Sequence, residues 1–338
     1  MTELHLAKNM NKALTIIIPT YNMEKYLDKC LRSLVIEKSD TLALLEVLVV
    51  IDGATDKSLE IANQYQETHP ETFRVIEKPN GNYGSCINRG LKEATGKYIK
   101  ILDADDYAVT ENLEKLVLFL SQSDVDLVIT NFQKVNERGE IFESSKFYAQ
   151  PDTELNFSAI DPKKTMEMHM VTYKTENLRA LGYTQTEKIS YTDQEWIFMP
   201  MVTVQKFYYL DITVYNYLWG REGQTMDAAV YLKSQTQLMI VCLAMIREYK
   251  NCETDFTHKA YLTERLYKNL KRIYRTALVD NPDVDLQPLI AFDGLLKRQS
   301  RDTYKLVSRC KLRGRYPYIW VWRLLKYKRT PSLIKNFL

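Results

Sequence analysis

The sequence of 338 residues has few cysteines and no apolar stretch of membrane-spanning length. Its five cysteines are odd in number, widely scattered and without a Cys-x-x-Cys pair, so we expect neither a disulfide framework nor a cysteine zinc site. Residues 1–12 are polar and lack the apolar core of a signal peptide. Because no apolar run approaches the roughly 20 residues that cross a bilayer, we expect a cytoplasmic protein with reduced thiols.

Acidic residues are nearly missing from the last part of the chain. Residues 297–338 contain thirteen lysines or arginines and one acid, Asp302, which gives a charge of +12. The whole chain carries +3, so the preceding 296 residues carry the difference, which is −9. Aromatic residues lie among the cations of residues 316–329, a mixture that suits an anionic membrane surface.

We expect this tail to attach the protein to the inner face of the cell membrane. The alternative is a solvated basic face packed on an aromatic core. No recognised nucleic-acid-binding module accompanies the charge, so we expect no nucleic-acid partner.

Buried strands alternate with amphipathic helices from residue 14 to residue 120. Apolar runs predict strands at residues 14–18, 44–51, 73–76 and 99–102. Helical spacing of the apolar residues predicts helices at residues 23–35, 55–65, 85–94 and 110–120. This alternation predicts an α/β fold with a doubly wound, mostly parallel sheet, whose ligands bind at the carboxyl ends of the strands.

The pattern changes from strands to helices in the second half of the chain. Further strands are predicted at residues 125–130 and 206–218, with a hairpin over residues 132–154 that turns at Gly139. Beyond a loop at residues 220–225, the spacing is helical at residues 231–249, 261–278 and 286–296. We therefore predict two domains, residues 1–224 and a helical domain at residues 225–338.

Three carboxylates directly follow the strand predicted at residues 99–102. If the strand alternation continues, Asp103 and Asp105 point to one side of the sheet while Ala104 points to the other. Two adjacent carboxylates repel each other, and a divalent cation such as Mg²⁺ or Mn²⁺ would relieve that repulsion. The alternative is that these acids only begin the next helix, where negative charge is favourable.

Five short motifs occur in order along the first two thirds of the chain. They are Ile18-Pro19-Thr20-Tyr21-Asn22, Val50-Ile51-Asp52-Gly53-Ala54-Thr55-Asp56, residues 80–90, Gly96-Lys97-Tyr98-Ile99 and Leu102-Asp103-Ala104-Asp105-Asp106. Through these motifs, residues 13–225 resemble the family-two glycosyltransferases, which have the nucleotide-sugar-binding glycosyltransferase A fold. One departure is Ile51, where the family often has an additional aspartate.

The resemblance implies a UDP-sugar donor bound at the carboxyl ends of the strands. Pro19 would belong to the nucleotide-sugar site, Tyr21 would stack on the nucleobase, and Asp52 would accept a hydrogen bond from a base N–H. The positions implied to line the base, ribose and diphosphate are Asn80, Gly84, Asn88, Asp103, Ala104 and, in a loop that closes over the diphosphate, Arg221. The alternative is that neither residue binds a nucleotide, so that Tyr21 is only an aromatic residue in a loop and Asp52 only stabilises the turn beside Gly53.

The resemblance also implies a metal and a base. Asp105 would bind Mn²⁺ or Mg²⁺ with help from Asp103, because a nucleoside diphosphate leaving group needs its developing charge neutralised. Asp193 has the position of the family's general base, which would deprotonate the acceptor hydroxyl. Its apolar neighbours would raise its pKa. Since Thr192 replaces the usual preceding acid and Glu195 lies two residues on, the choice between Asp193 and Glu195 stays open.

Two residues also have interpretations in which they only stabilise the fold. Asp193 could instead cap a helix that begins near Gln194. His169, a lone histidine in a Met-rich apolar segment, is interpreted as a core residue in preference to a ligand.

We therefore expect an inverting transferase that moves one sugar to a lipid-linked or surface glycan of the capsule, exopolysaccharide or teichoic acid type. The processive motif Gln-x-x-Arg-Trp is absent from the sequence. The alternatives are an enzyme that extends a protein-linked glycan and a non-catalytic sugar-nucleotide-binding protein. A nucleotidyltransferase is disfavoured because Pro19-Thr20-Tyr21-Asn22 stands where its glycine-rich, basic phosphate loop would lie.

Overall fold

The computed structural model describes residues 12–164, 166–220, 228–281 and 283–328. The chain divides into two compact units. Residues 1–160 and 164–227 form the first, and residues 161–163 and 228–338 form the second. The domain boundary predicted at Gln224 lies outside the described residues and stays a prediction.

One ten-stranded sheet runs through the described part of the first unit. In chain order the strands are β1 (Leu14–Thr20), β2 (Leu45–Asp52), β3 (Phe73–Lys78), β4 (Tyr98–Ile101), β5 (Tyr107–Ala108), β6 (Leu127–Val135), β7 (Ile141–Ser145), β8 (Thr153–Asn156), β9 (Val171–Lys174) and β10 (Lys206–Leu218). Their order in space is β3-β2-β1-β4-β9-β6-β10-β5, with β7 beside β6 and β8 beside β10.

The sheet is parallel at one end and mixed at the other. Strands β3, β2, β1 and β4 are parallel neighbours, as the alternation of strands and helices predicts. Strand β9 is antiparallel to both β4 and β6, and was not predicted. Its four residues directly follow an apolar, Met-rich segment, so no change of periodicity marks where the strand begins.

Helices cover the sheet, which explains why all eight residues of β2 are buried. The helices of the first unit are α1 (Leu27–Arg32), α2 (Ser39–Leu42), α3 (Ser58–Thr68), α4 (Asn82–Glu93), α5 (Thr110–Gln122), α6 (Thr175–Leu181) and α7 (Asp193–Trp196). The helix predicted at residues 23–35 is shorter than expected. Residues 23–26 form turns, and α1 begins at Leu27.

The register of the parallel strands brings the predicted donor residues to one edge of the sheet. Thr20 lies opposite Ile51, and Ile17 lies opposite Ile101. The residues that follow β1, β2 and β4 therefore emerge side by side at the carboxyl ends of the strands, where α/β sheets bind their ligands.

The second unit is helical, as predicted. Its helices are α8 (Ala228–Asn251), α9 (Phe256–Arg275), α10 (Gln287–Gln299), α11 (Arg301–Ser308) and α12 (Tyr318–Leu324). A buried ion pair fixes α12 to α10. The Nε of Arg323 donates to Oδ1 of the fully buried Asp293 at 2.9 Å. Removing either partner would leave a buried charge without its counterion, which is costly.

The aromatic tail packs one face of α12 on the second unit. Tyr318, Ile319 and Trp322 are buried, whereas Trp320 and Leu324 are 51% and 61% exposed. The tail is therefore partly core, and only the opposite face of α12 is open to a partner. Within the described residues, no helix combines the length and the apolar character needed to cross a membrane.

Candidate functional site

The acidic motif forms a turn and does not continue the strand. Strand β4 ends at Ile101, and the N–H of Asp106 donates to the carbonyl of Asp103 at 3.0 Å. The expectation that Asp103 and Asp105 share a strand face is wrong for this reason. The chain must turn here to form β5, which pairs with β10 at the edge of the sheet opposite β3. We call residues 103–106 the acidic turn.

Asp106, which had no assigned role, is the most buried carboxylate of the acidic turn. It accepts hydrogen bonds from the Tyr215 hydroxyl at 2.6 Å and from the Leu218 N–H at 2.7 Å. Burial raises the pKa of Asp106 well above its usual range, and the charges of Asp105 and Asp103 add to this effect. A cation beside the turn would offset this concentration of negative charge.

His169 completes a set of possible metal ligands. Ligand atoms of Asp103, Asp106 and His169 lie within 4.8 Å of one another. The His169 ring stacks on Tyr217, with 4.6 Å between ring centroids, and burial lowers its pKa to about 3. Its Nδ1 is buried and has no hydrogen-bond partner among the described residues.

This ligand set fits a divalent cation. The imidazole is neutral at physiological pH, so a nitrogen lone pair is available to a metal. Carboxylates with one imidazole suit Mn²⁺ better than Mg²⁺, which prefers oxygen ligands alone. His169 is buried, as the sequence indicates, but it also faces the acidic turn. Asp105 as the direct ligand stays a prediction.

A buried lysine, missed in the sequence, holds the His169 segment in place. The Nζ of Lys100 donates to the carbonyl of His169 at 2.6 Å and more weakly to that of Val171 at 3.4 Å. Burial lowers the pKa of Lys100 to about 7. A lysine between Ile99 and Ile101 in a buried strand is the one signal in the sequence that could have revealed it.

The charges of Asp193 and of the acidic turn affect the same two tyrosines. The Tyr83 hydroxyl donates to Oδ1 of Asp103 at 2.8 Å. Burial raises the pKa of Tyr83, and the negative charges of Asp103 and Asp193 raise it further. The pKa of Tyr217 is raised by burial and by the same carboxylates, including Asp193. The candidate base and the acidic turn therefore act on a shared pair of side chains.

Glu195 and Asp193 have different surroundings. Glu195 is buried, and its two oxygens accept hydrogen bonds from the N–H and the hydroxyl of Thr186 at 2.7 and 2.6 Å. Asp193 is half-buried, with one oxygen accepting from the Gln194 amide at 2.8 Å. A base must reach its substrate, so this contrast favours Asp193 for that role.

At the donor edge, Asp52 organises the loop that precedes α4. Its carboxylate accepts from the N–H groups of Gly81 and Asn82 at 2.9 and 2.8 Å and pairs with Lys78. The Asn80 amide donates to the Asp52 carbonyl at 3.0 Å. That Asp52 accepts a hydrogen bond from a nucleobase N–H stays a prediction.

The other predicted donor residues lie in varied settings. Tyr21 is half exposed, as a stacking platform requires, while Pro19 is half-buried and Ala104 is buried. The predicted role of Arg221 lies outside the described residues. The binding roles of all these residues stay predictions.

Gly84 and Asn88 contact the segment at residues 185–187. The Asn88 amide donates to the Gln185 carbonyl at 2.9 Å, and its oxygen accepts from the Gln185 N–H at 2.8 Å. A Cβ on Gly84 would lie 2.1 Å from the Thr186 carbonyl oxygen. The close approach that Gly84 permits is therefore to this segment, and the predicted contacts of both residues with a diphosphate stay predictions.

Replacing Gly84 by Ala should destabilise the first unit. The methyl group would collide with a backbone oxygen that cannot rotate away, so we expect a loss of about 2–3 kcal/mol in the free energy of unfolding. The midpoint of urea unfolding measures this loss. Gly294→Ala in α10 is the matched control, because a Cβ there meets its nearest atom at 3.6 Å. An unchanged midpoint for Gly84→Ala would contradict the close packing.

Residues 15–182 of the chain match the family model described as glycosyl transferase family 2. Over 245 residues the chain is 28% identical to the poly(ribitol-phosphate) β-N-acetylglucosaminyltransferase TarS of Staphylococcus aureus, a match that covers 72% of this chain and 42% of TarS. The chain therefore spans about two fifths of the length of this curated relative.

Solved structures share the fold. The structure of S. aureus TarS 1-349 in complex with UDP-GlcNAc has a TM-score of 0.68 and 22% identity, covering 96% of this chain and 89% of that chain. A mannosyltransferase from Pyrobaculum calidifontis, in complex with GDP-Man and Mn²⁺, has a TM-score of 0.53 and 17% identity, covering 95% and 89%. The predicted glycosyltransferase A fold with a helical carboxyl-terminal region is confirmed.

Proposed function

The chain belongs to glycosyl transferase family 2, and from that premise we propose that it transfers one sugar from a UDP-sugar to a hydroxyl group of a glycan. The observation that supports the proposal is that α7, which carries Asp193, contacts residues 168–170, whose His169 lies beside Asp103 and Asp106 of the acidic turn. UDP-GlcNAc is the first donor to test, because the relative TarS is an N-acetylglucosaminyltransferase and was solved with that compound.

The acidic turn would hold the diphosphate end of the donor through a divalent cation. Asp103, Asp106 and His169 would each offer one ligand atom to the cation. Asp105 would bind the same cation, as its position in the motif predicts. When bound, Mn²⁺ or Mg²⁺ supplies positive charge that stabilises the departing diphosphate. Tyr83 fixes the orientation of Asp103, and Lys100 fixes the backbone at His169, so the ligands are positioned before the substrate arrives.

Asp193 would act as the general base. Its carboxylate takes the proton of the acceptor hydroxyl as that oxygen attacks the anomeric carbon, and the bond from that carbon to the diphosphate oxygen breaks. One base and one displacement give inversion at the anomeric carbon. We assign this proton transfer to Asp193 and not to Glu195, because both Glu195 oxygens accept hydrogen bonds from Thr186.

The acceptor that we propose is a bacterial surface glycan, either a lipid-linked intermediate or a teichoic-acid-like polymer. Support comes from the relative TarS, which is named for a poly(ribitol-phosphate) acceptor. A protein-linked glycan is the alternative.

A panel assay tests the function. The protein is incubated with Mn²⁺, a glycan acceptor and UDP-GlcNAc, UDP-glucose or UDP-galactose in turn, and released UDP is measured. We expect release above background with at least one donor, dependent on the acceptor and abolished by EDTA. A protein that binds UDP-sugars but releases no UDP with any acceptor class would favour the non-catalytic alternative.

We propose further that the protein works at the inner face of the cell membrane, attached through α12. Trp320 and Leu324 lie four residues apart on the exposed face of this helix. Exposed cations flank this face in sequence, namely Lys311, Arg313, Arg315, Lys326 and Lys328. Each cation near an anionic bilayer contributes on the order of 1 kcal/mol, and the apolar side chains enter the interface.

Point substitutions test this attachment without disturbing the buried Arg323–Asp293 pair. We expect the double variant Trp320→Ser, Leu324→Ser to reduce flotation with phosphatidylglycerol vesicles at least about fivefold. Phe256→Ser, at a residue 84% exposed on the same unit, is the control and should float like the wild type. Equal flotation of all three proteins would rule out this surface.

A further inference from the structure

The segment at residues 185–188 lies between α4 and α7, and we call it the tie segment. Three of its four N–H groups are hydrogen-bonded to α4, to Gly81 directly before it, or to α7. Those of Gln185 and Lys188 donate to the Asn88 side chain and the Gly81 carbonyl, at 2.8 and 2.9 Å. The N–H of Thr186 donates to Glu195 in α7 at 2.7 Å.

On its α4 side, the tie segment contacts the loop that Asp52 organises. Gly81 and Asn82 bind the Asp52 carboxylate, and the Gly81 carbonyl accepts from Lys188. Farther along α4, Asn88 forms a reciprocal pair with the backbone of Gln185. A ligand that orders the loop at residues 80–82 would therefore also restrict the motion of the tie segment.

On its α7 side, the tie segment holds the helix that carries Asp193. This helix has only four residues, too few to be stable alone, so its position depends on tertiary contacts. It follows Tyr191, whose φ of 68° is rarely adopted by a residue with a side chain. The bidentate contact between Glu195 and Thr186 is a buried restraint two residues from the base.

We propose that the tie segment positions Asp193 from the donor side of the site, with Glu195 and Asn88 as positioning residues. The proposal rests on the function above and deepens it. Ordering the loop at residues 80–82 stabilises the tie segment, and through Thr186 and Glu195 it holds α7 where Asp193 meets the acceptor hydroxyl. Glu195 acts through its hydrogen bonds and not through its charge or basicity.

Three variants separate positioning from base catalysis. In Glu195→Gln the amide can still accept from the Thr186 N–H and donate to its hydroxyl, so we expect kcat within about threefold of the wild type. Glu195→Ala loses both bonds, and the displaced base should lower kcat about 100-fold. Thr186→Val loses only the hydroxyl contact and should fall between them, while Glu154→Ala, at an exposed acid on β8, is the control.

Comparing kcat with UDP affinity and thermal stability distinguishes a displaced base from a loss of fold. In Glu195→Ala the affinity for UDP should stay within about twofold of the wild type, and the thermal midpoint within a few degrees, because the donor edge is intact. Inactivity of Glu195→Gln equal to that of Glu195→Ala would overturn the proposal and make Glu195 the base.

Hydrogen exchange tests the link without turnover. In the wild type, UDP with Mn²⁺ should slow amide exchange at residues 185–188 and 193–196. In Asn88→Ala, UDP should still protect residues 81–84 but no longer protect residues 193–196. Equal protection of residues 193–196 in both proteins would overturn the proposal. Because this readout needs only UDP binding, a wild type that transfers no sugar would count against the proposed function and not against the tie segment.

Discussion

Replacing Asp193 by Asn is expected to lower kcat at least about 1,000-fold while leaving the affinity for UDP unchanged. The amide has the same shape as the carboxylate and still accepts a hydrogen bond from Gln194, but it cannot take the proton of the acceptor hydroxyl. In the proposed mechanism, UDP binds at the acidic turn and the strand ends, which Asp193 does not form. A steady-state assay of UDP release with a calorimetric UDP titration measures both quantities.

Glu195→Gln is the matched control for Asp193→Asn. It makes the same chemical change two residues away in the same helix, at a carboxylate whose oxygens both bind Thr186. If Asp193→Asn keeps more than about a tenth of the wild-type kcat, Asp193 is not the general base.

Replacing Asp105 by Ala is expected to weaken UDP binding about 100-fold in Mn²⁺ and to leave it unchanged in EDTA. The variant would lose a carboxylate that is predicted to hold the cation, whose positive charge would attract the diphosphate. Titrations of UDP with and without Mn²⁺ measure the difference. The paired variant His169→Phe tests the ligand set that the structure brings together.

Phenylalanine at position 169 can keep the stacking on Tyr217 while removing both ring nitrogens. We expect His169→Phe to raise the Mn²⁺ concentration needed for half-maximal UDP binding about tenfold. If His169→Phe binds Mn²⁺ like the wild type, the histidine is a core residue only. If Asp105→Ala still binds UDP more tightly in Mn²⁺ than in EDTA, as the wild type is expected to do, metal binding does not require Asp105.

The fold and the edge that carries the site could be predicted from the sequence. Tyr21 and Asp103 follow buried strands and Asp52 is the last residue of one, and parallel strands direct such residues to one edge. The inference needs only the alternation of strands and helices, which is a local pattern.

The detailed geometry of the site could not be predicted, because it depends on contacts between distant segments. Asp106 becomes a buried carboxylate only because Tyr215 and Leu218 arrive from β10. His169 approaches the acidic turn because β9 inserts between β4 and β6. The contacts of both Glu195 oxygens with Thr186 join residues nine apart in the chain, and no local sequence pattern shows them.

The packing of the basic tail could not be predicted from the sequence either. Its charge and aromatic content can be counted in the sequence, and they predict a surface for an anionic partner. The sequence does not distinguish the buried Trp322 from the exposed Trp320, two residues apart, because their difference arises from how α12 packs on the second unit.

The central claim is that one site, formed by the acidic turn and Asp193, transfers a sugar by a single displacement. The most direct test is a proton NMR time course with UDP-GlcNAc, Mn²⁺ and a glycan acceptor, which follows UDP and the anomeric proton of the product together. Starting from the α-linked donor, we expect a β-linked product formed in a one-to-one ratio with UDP. An α-linked product, or product formed equally fast by Asp193→Asn, would contradict the claim.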